Sequence, residues 1–261
     1  MAPNVSHTSR QWDVVDVKWI CFTQPSMRTS DIDIRFSIGP EFDIGWISSL
    51  TASIYYGDTL IGKITQEDEF VLSDELDDTY DIVLKDFEIQ DMIAFRTLIQ
   101  NTMPNTRDKC QPADKCPTAF LQITEKGHKL EMRINLDGTG SLETSTPMVR
   151  KFDDSIVINF LISNHPHMEF IFGKTTFMLE KDGEFLAFLD SHLHIQANDG
   201  GPLNYSFKGK LPSEDKLCGK AKLRGCSVKG EEKTWFIHAI REFELEVDLD
   251  QVVVCEDESD E

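Results

Sequence analysis

The sequence carries one run of strand and turn signals twice, in the same order, and this constrains the fold more than any other feature. "IDIRFSI" sets Ile32, Ile34, Phe36 and Ile38 on one face of an extended chain, and "IVINFLI" sets Ile156, Ile158, Phe160 and Ile162 on one face in the same I-x-I-x-F-x-I pattern. Each is followed by a hairpin with a glycine turn, "IYYGDTLIG" at Gly57-Asp58 and "MLEKDGEFLAF" at Asp182-Gly183. Tyr80 in "TYDIVLKDF" is then matched by Tyr205 in "NYSFKGKL". A closing pair of strands ends each run: "TAFLQI" with "LEMRINLD" in the first, "TWFIHAI" with "FELEVDLD" in the second, so that Phe236 stands for Phe120. An unchanged order with small drifts in spacing is the mark of one structural unit present twice.

Short strands of period two, turn residues every eight to twelve positions and almost no long helical pattern predict an all-β fold of two tandem immunoglobulin-like β-sandwiches. The exception is "IQDMIAFRTLIQNTM", where Met92, Phe95, Ile99 and Met103 recur at helical spacing and predict one short helix in the first half. The second half has "SEDKLCGKAKLRGC" in its place, read as a lysine-rich loop. The expected organisation is a flexible N-terminus over 1–13, a first sandwich over 14–138, a linker over 139–147, a second sandwich over 148–250 and an acidic disordered tail over 251–261.

A formal charge of −20 would repel nucleic-acid phosphates and anionic bilayers over most of the surface, so nucleic acid is not an expected partner. No apolar leader and no long uncharged apolar run is present, which predicts a soluble, cytoplasmic protein without a transmembrane segment. Four of the six cysteines fall in local pairs, Cys110 with Cys116 and Cys218 with Cys226. These are read as free thiols in a reducing compartment, with local disulfides or a shared metal site as alternatives, although the spacings do not match common zinc motifs.

The alternating strand, then Tyr55, Gly57, Leu60 and Gly62 of "IYYGDTLIG", then "YDIVLKDF" and the short helix before two further strands, resembles the late embryogenesis abundant group 2 domain and related fungal β-sandwich proteins. The resemblance covers about residues 14–136 and extends to 147–250, where Phe188 stands at the position of Gly62. It implies a non-enzymatic role in stress protection, in holding lipid-like or other apolar molecules, or in scaffolding near membranes.

Among candidate site residues, His165 and His167 of "NHPHM" and His192 and His194 of "SHLHIQ" each share one side of an extended chain and could meet as a metal site. Equally, Leu193 and Ile195 would take the core face and leave His192 and His194 on the surface. From Lys208 to Lys233 the chain holds eight basic residues against four acidic ones. This basic patch, centred on Lys216, Lys220, Lys222 and Arg224, would dock an anionic head-group in peripheral membrane contact, receive the acidic tail, or simply solubilise a loop. Asp31, Asp33 and Arg35 read as a solvated strand face. No nucleophile elbow, phosphate loop or dinucleotide fingerprint occurs, and no cofactor is expected. Two readings of function follow. The first is a non-catalytic binding or scaffolding protein that holds an apolar small molecule or a protein partner, using aromatics such as Trp46, Phe170, Phe172, Phe177, Phe185, Phe188 and Trp235. The second is a cofactor-independent enzyme of the isomerase or cyclase type acting on an apolar molecule, with the four histidines as the first suspects.

Overall fold

The computed structural model describes residues 15–38, 46–47, 49–66, 70–71, 79–104, 117–125, 128–135, 143–163, 168–196, 201–210, 217–231 and 233–255. The first half contains β1 (Val15–Thr23), β2 (Thr29–Ile38), β3 (Trp46–Ile47), β4 (Ser49–Tyr56), β5 (Thr59–Gln66), β6 (Phe70–Val71), β7 (Thr79–Ile89), α1 (Met92–Thr102), β8 (Pro117–Glu125) and β9 (His128–Asn135). The second contains β10 (Glu143–Thr144), β11 (Met148–Lys151), β12 (Ser155–Ser163), β13 (Met168–Lys181), β14 (Glu184–Ile195), β15 (Leu203–Lys210), β16 (Lys220–Val228), α2 (Phe236–Arg241), β17 (Glu244–Asp248), a 3-10 turn (Leu249–Gln251) and β18 (Val253–Val254).

The strands run in the order β1-β2-β7-β5-β4-β8-β9 in the first half and β11-β12-β15-β14-β13-β16-β17 in the second, the same order of equivalent strands. In each half the ladder between the fourth strand and the third shrinks to two residue pairs, Gly62 with Ile89 and Lys63 with Glu88, and Leu189 with Gly209 and Asp190 with Lys208. That narrow corner is where the sheet folds over into the second layer of an immunoglobulin-like sandwich. Phe36 faces Tyr80 and Phe160 faces Tyr205, so the matched residues occupy matched registers. Between the layers lie Ile32, Ile34, Ile54, Ile61, Ile82 and Leu84 in the first half, and Ile156, Ile158, Phe160, Phe177, Leu189 and Leu223 in the second, all buried. Each such side chain contributes about 1.5–3 kcal/mol relative to exposure.

The hairpin register corrects the match of Phe188 with Gly62: counted from the two turns, Gly62 opposite Ile54 corresponds to Ala187 opposite Leu179, and Phe188 corresponds to Lys63. A Cβ at Gly62 would overlap the Glu88 carbonyl, whereas in the second half a Cβ at Gly209 would overlap the Phe188 carbonyl. Each corner thus brings one glycine against a neighbouring carbonyl, on the fourth strand in the first half and on the third in the second.

Several sequence-based expectations are corrected. The lysine-rich stretch is strand β16, which pairs with β13 as β8 pairs with β4. The register position of Phe120, opposite Ser53, is taken in the second half by Arg224, opposite Met178, and not by Phe236. "TWFIHAI" is the short helix α2, a second helix, with Phe236, Ile237, Ala239 and Ile240 buried. Its apolar residues crowd at consecutive positions because α2 is covered on nearly all sides. Glu143–Thr144, inside the stretch read as linker, pairs with β12. Val253–Val254, at the start of the stretch read as a disordered tail, pairs in parallel with β11.

The two halves are joined through β13. One edge of β13 pairs with β1 in parallel over Met168–Phe170 and with β16 antiparallel over Thr175–Glu180, while β14 occupies the other edge. Gly173, at φ +69° beside a register shift, lies between the two partners, in a left-handed conformation that costs other residues about 1–2 kcal/mol. An aromatic cluster fills the junction. Phe22 stacks on Phe170 at 5.9 Å, and Phe95 of α1 meets Trp235, at the entry to α2, edge to face at 4.8 Å. The Trp235 N–H donates to the Ser26 carbonyl and the Glu244 N–H to the Pro104 carbonyl, both at 2.9 Å, so backbone hydrogen bonds cross the junction as well. Helix α1 is held in place by Asp91, whose carboxylate accepts from the N–H groups of Ile93 and Ala94.

Candidate functional site

Strand β16 alternates strictly, with Ala221, Leu223 and Gly225 buried and Lys220, Lys222 and Arg224 outward. The outward face of β17 carries Glu244, Glu246 and Asp248 opposite them in register. The result is a ladder of ion pairs. Arg224 reaches Glu180 of β13 at 2.6 Å and Glu244 at 2.8 Å, Lys222 reaches Glu244 at 3.0 Å, and Lys220 pairs with Glu246. The hydrogen bond and the charge of Glu246 hold the Lys220 ammonium above the usual lysine range. Glu244 differs from the others because its side chain is only 3% exposed, so the two cations above it neutralise a desolvated carboxylate.

These side chains border an open cleft of about 350 Å³ lined by Glu180, Asp182, Gly183, Lys220, Lys222, Arg224 and Glu246. All three cations of the cleft are matched by Glu180, Glu244 and Glu246. Asp182, at the hairpin tip, has no ion pair among the described residues. The tip itself follows from Asp182 at φ +52° and Gly183 at φ +82°, the conformation an Asp-Gly hairpin turn supplies.

On the far side of β13 the same rows continue into apolar surface. Phe185 is the register partner of Glu180 and Phe188 the partner of Met178. Their rings lie 4.7 Å apart, tilted by 53°, and remain 51% and 56% exposed. The structure thus brings together two features that the sequence gives separately, the basic stretch and the aromatic hairpin. Lys216 lies outside the described residues. Of the other aromatics named above, Phe170, Phe172, Phe177 and Trp235 are core. The partners Glu180, Asp182, Glu244 and Glu246 were missed in the sequence, although "KAKLR" and "ELEVD" alternate in opposite charge.

The histidines distribute differently. His165 and His167 lie outside the described residues. His192 is exposed on β14, with Leu193 and Ile195 buried, and His194 Nε2 lies 2.8 Å from Glu169 Oε1. Glu169 is the ladder partner of Cys21, whose other neighbour is Asp33. Burial pushes the Cys21 thiol up to about 12, helped by the charges of Glu169 and Asp33, so it carries no nucleophilic thiolate at neutral pH. Cys218 and Cys226 are free thiols, and Cys110 and Cys116 lie outside the described residues. Among the described residues no group of three or more histidine, cysteine or acidic side chains could hold a metal ion.

Between α1 and α2, bordered by Met92, Phe95, Ile99 and Trp235, the free space is about 10 Å³, at most one water. The Trp235 indole N–H is buried there without a hydrogen-bond partner, standing edge-on to Phe22, Phe95 and Phe236 at 82–89°. Perpendicular packing of this kind is one that aromatic pairs favour. An apolar ligand would have to displace packed aromatic side chains.

No protein-family model and no curated protein matches the chain. The similar solved structures include two that are alike at low level. Red sea bream transglutaminase matches at 12% identity and a TM-score of 0.26, covering 97% of this chain, which spans 34% of the transglutaminase's length. The 35 kDa C-terminal fragment of the major pilin GBS80 of Streptococcus agalactiae matches at 11% identity and a TM-score of 0.13, covering 94% of this chain and 98% of the fragment. Likenesses of this size say nothing about function. No helix among the described residues is long and apolar enough to cross a membrane.

Two expectations follow for the charges. Arg224→Met removes one of the two cations that pair with buried Glu244 among the described residues and is expected to cost about 3 kcal/mol in urea unfolding, whereas exposed Lys220→Met should leave the midpoint almost unmoved. Equal, small effects would show that Glu244 does not depend on its cations. Asp33 has its carboxyl held above the usual aspartate range by burial first and then by Asp31, Asp81 and Glu169. The folded state therefore binds that proton more tightly than the unfolded chain, and its ionisation costs stability as pH rises. Asp33→Asn should raise the melting temperature at neutral pH, with the gain vanishing below the ordinary aspartate value of about 3.9; a melting temperature lowered at neutral pH would contradict this.

Proposed function

We propose that the chain is a non-catalytic binding protein whose second sandwich presents a protein-docking face, formed by β13, β14, β16 and β17. The observation that carries this reading is the pair of half-exposed phenylalanines, Phe185 and Phe188, in contact with each other at 4.7 Å on the hairpin beside a charged cleft. Single exposed apolar residues are ordinary on a protein surface. Two touching aromatic rings, with Met178 in register beside them and a polar rim along one side, have the composition of a small interface core. The filled aromatic junction favours a protein partner over an enclosed apolar molecule. The resemblance of the strand and turn pattern to late embryogenesis abundant group 2 domains supports a role without catalysis, and in that reading scaffolding is the function.

Site-specific photo-crosslinking in the source cells tests this. A benzoyl-phenylalanine at position 188 should capture a discrete partner that the same probe at position 161, another exposed apolar site, does not. No capture at 188, or the same products from both positions, would overturn the reading.

A further inference from the structure

The docking face invites a reading from the sequence alone that its geometry reverses. A run rich in lysine on an acidic protein suggests a receptor for anions. In the folded chain every cation of the cleft is already matched: Lys220 by Glu246, Lys222 by Glu244, and Arg224 by Glu244 and Glu180. An anionic group would have to break these pairs and expose the charge of buried Glu244. Among the described residues the charge of the cleft without an ion pair is negative, on Asp182, and it sits at the exposed tip of the hairpin that also carries Phe185 and Phe188. The chain as a whole, at −20, attracts cations over long range.

We propose that this face binds a basic segment of a protein partner, in which an apolar side chain packs on Phe185 and Phe188 while a neighbouring lysine or arginine pairs with Asp182. The spacing suits an extended segment, because Asp182 and Phe185 stand three residues apart across a tight turn and alternate side chains of a strand recur about 7 Å apart. Long-range attraction would speed encounter, and the phenylalanine pair would hold the complex once formed. The aromatic rings also accept the flank of a cationic side chain favourably. This inference rests on the docking reading above, and supplies the chemistry of its partner.

The test uses the full chain and three probes at physiological salt: a short capped peptide alternating lysine and leucine, its glutamate–leucine counterpart, and phosphatidylcholine vesicles containing phosphatidylserine. The lysine peptide should bind and the other two should not. Phe185→Ser with Phe188→Ser should weaken binding about tenfold, as loss of an interface anchor does. Asp182→Asn, which keeps the turn because Asn-Gly suits the same geometry, should also weaken it several-fold. Asp154→Asn, an exposed acid between β11 and β12, should not. Amide chemical-shift changes on the unmodified protein should centre on Phe185, Phe188 and Asp182, which keeps the test decisive if the double variant folds poorly. Preferential binding of the glutamate peptide or the vesicles, an equal loss from Asp154→Asn, or shift changes spread over the acidic surface would each overturn the proposal. A partner captured at position 188 through an acidic segment would overturn it too, while leaving the docking face intact.

Discussion

One edge of β13 is divided between two partners, and the rest of the molecule is arranged around that division. Its first residues pair with β1 of the first half and its later ones with β16 of the second, with Gly173 at φ +69° between them. A strand that kept one partner along this edge would either close the second sandwich on itself or extend the first. Splitting the edge does both in part. It joins the sandwiches into a continuous hydrogen-bonded sheet, and it places β16 so that Lys222 and Arg224 stand over Glu180 and Glu244. The aromatic cluster of Phe22, Phe95, Phe170 and Trp235 covers the junction and removes water from it.

The ion-pair ladder shows why a local charge count misleads. Cations on alternate positions of β16 meet Glu244 and Glu246 on alternate positions of β17 and Glu180 on β13, and buried Glu244 is met by two of them. Charge is consumed in satisfying the sheet. What the sheet leaves unused on this face, among the described residues, is an acid at a hairpin tip and two half-exposed phenylalanines.

The architecture was legible in the sequence because period-two patterning is a local property. Ile32 and Ile34 in one half and Ile156, Ile158 and Phe160 in the other sit where their alternation puts them, and both glycine hairpins form. The assignments that failed depend on pairing instead. "KAKLRGCSV" has too few large apolar residues to read as a strand until its outward lysines are given carboxylate partners, and "TWFIHAI" reads as a strand because a nearly enclosed helix loses its polar face. That Phe188 corresponds to Lys63 and not to Gly62 was not visible, since only the ladder register counted from each hairpin turn fixes the offset between the repeats. The same limit applies to the candidate site: the sequence supplied Lys220, Lys222, Arg224, Phe185 and Phe188 as separate features, and the register of β13 with its neighbours made them one face.

Hydrogen exchange along β13 tests most directly whether this strand unites the two halves. The account predicts that the amides bonded to β1 near Phe170 and those bonded to β16 between Phe177 and Glu180 exchange together, through opening as costly as global unfolding. Rapid exchange near Phe170 while the β16-paired segment stays protected would contradict it, for the sandwiches would then be separate units and the face would depend on the second alone.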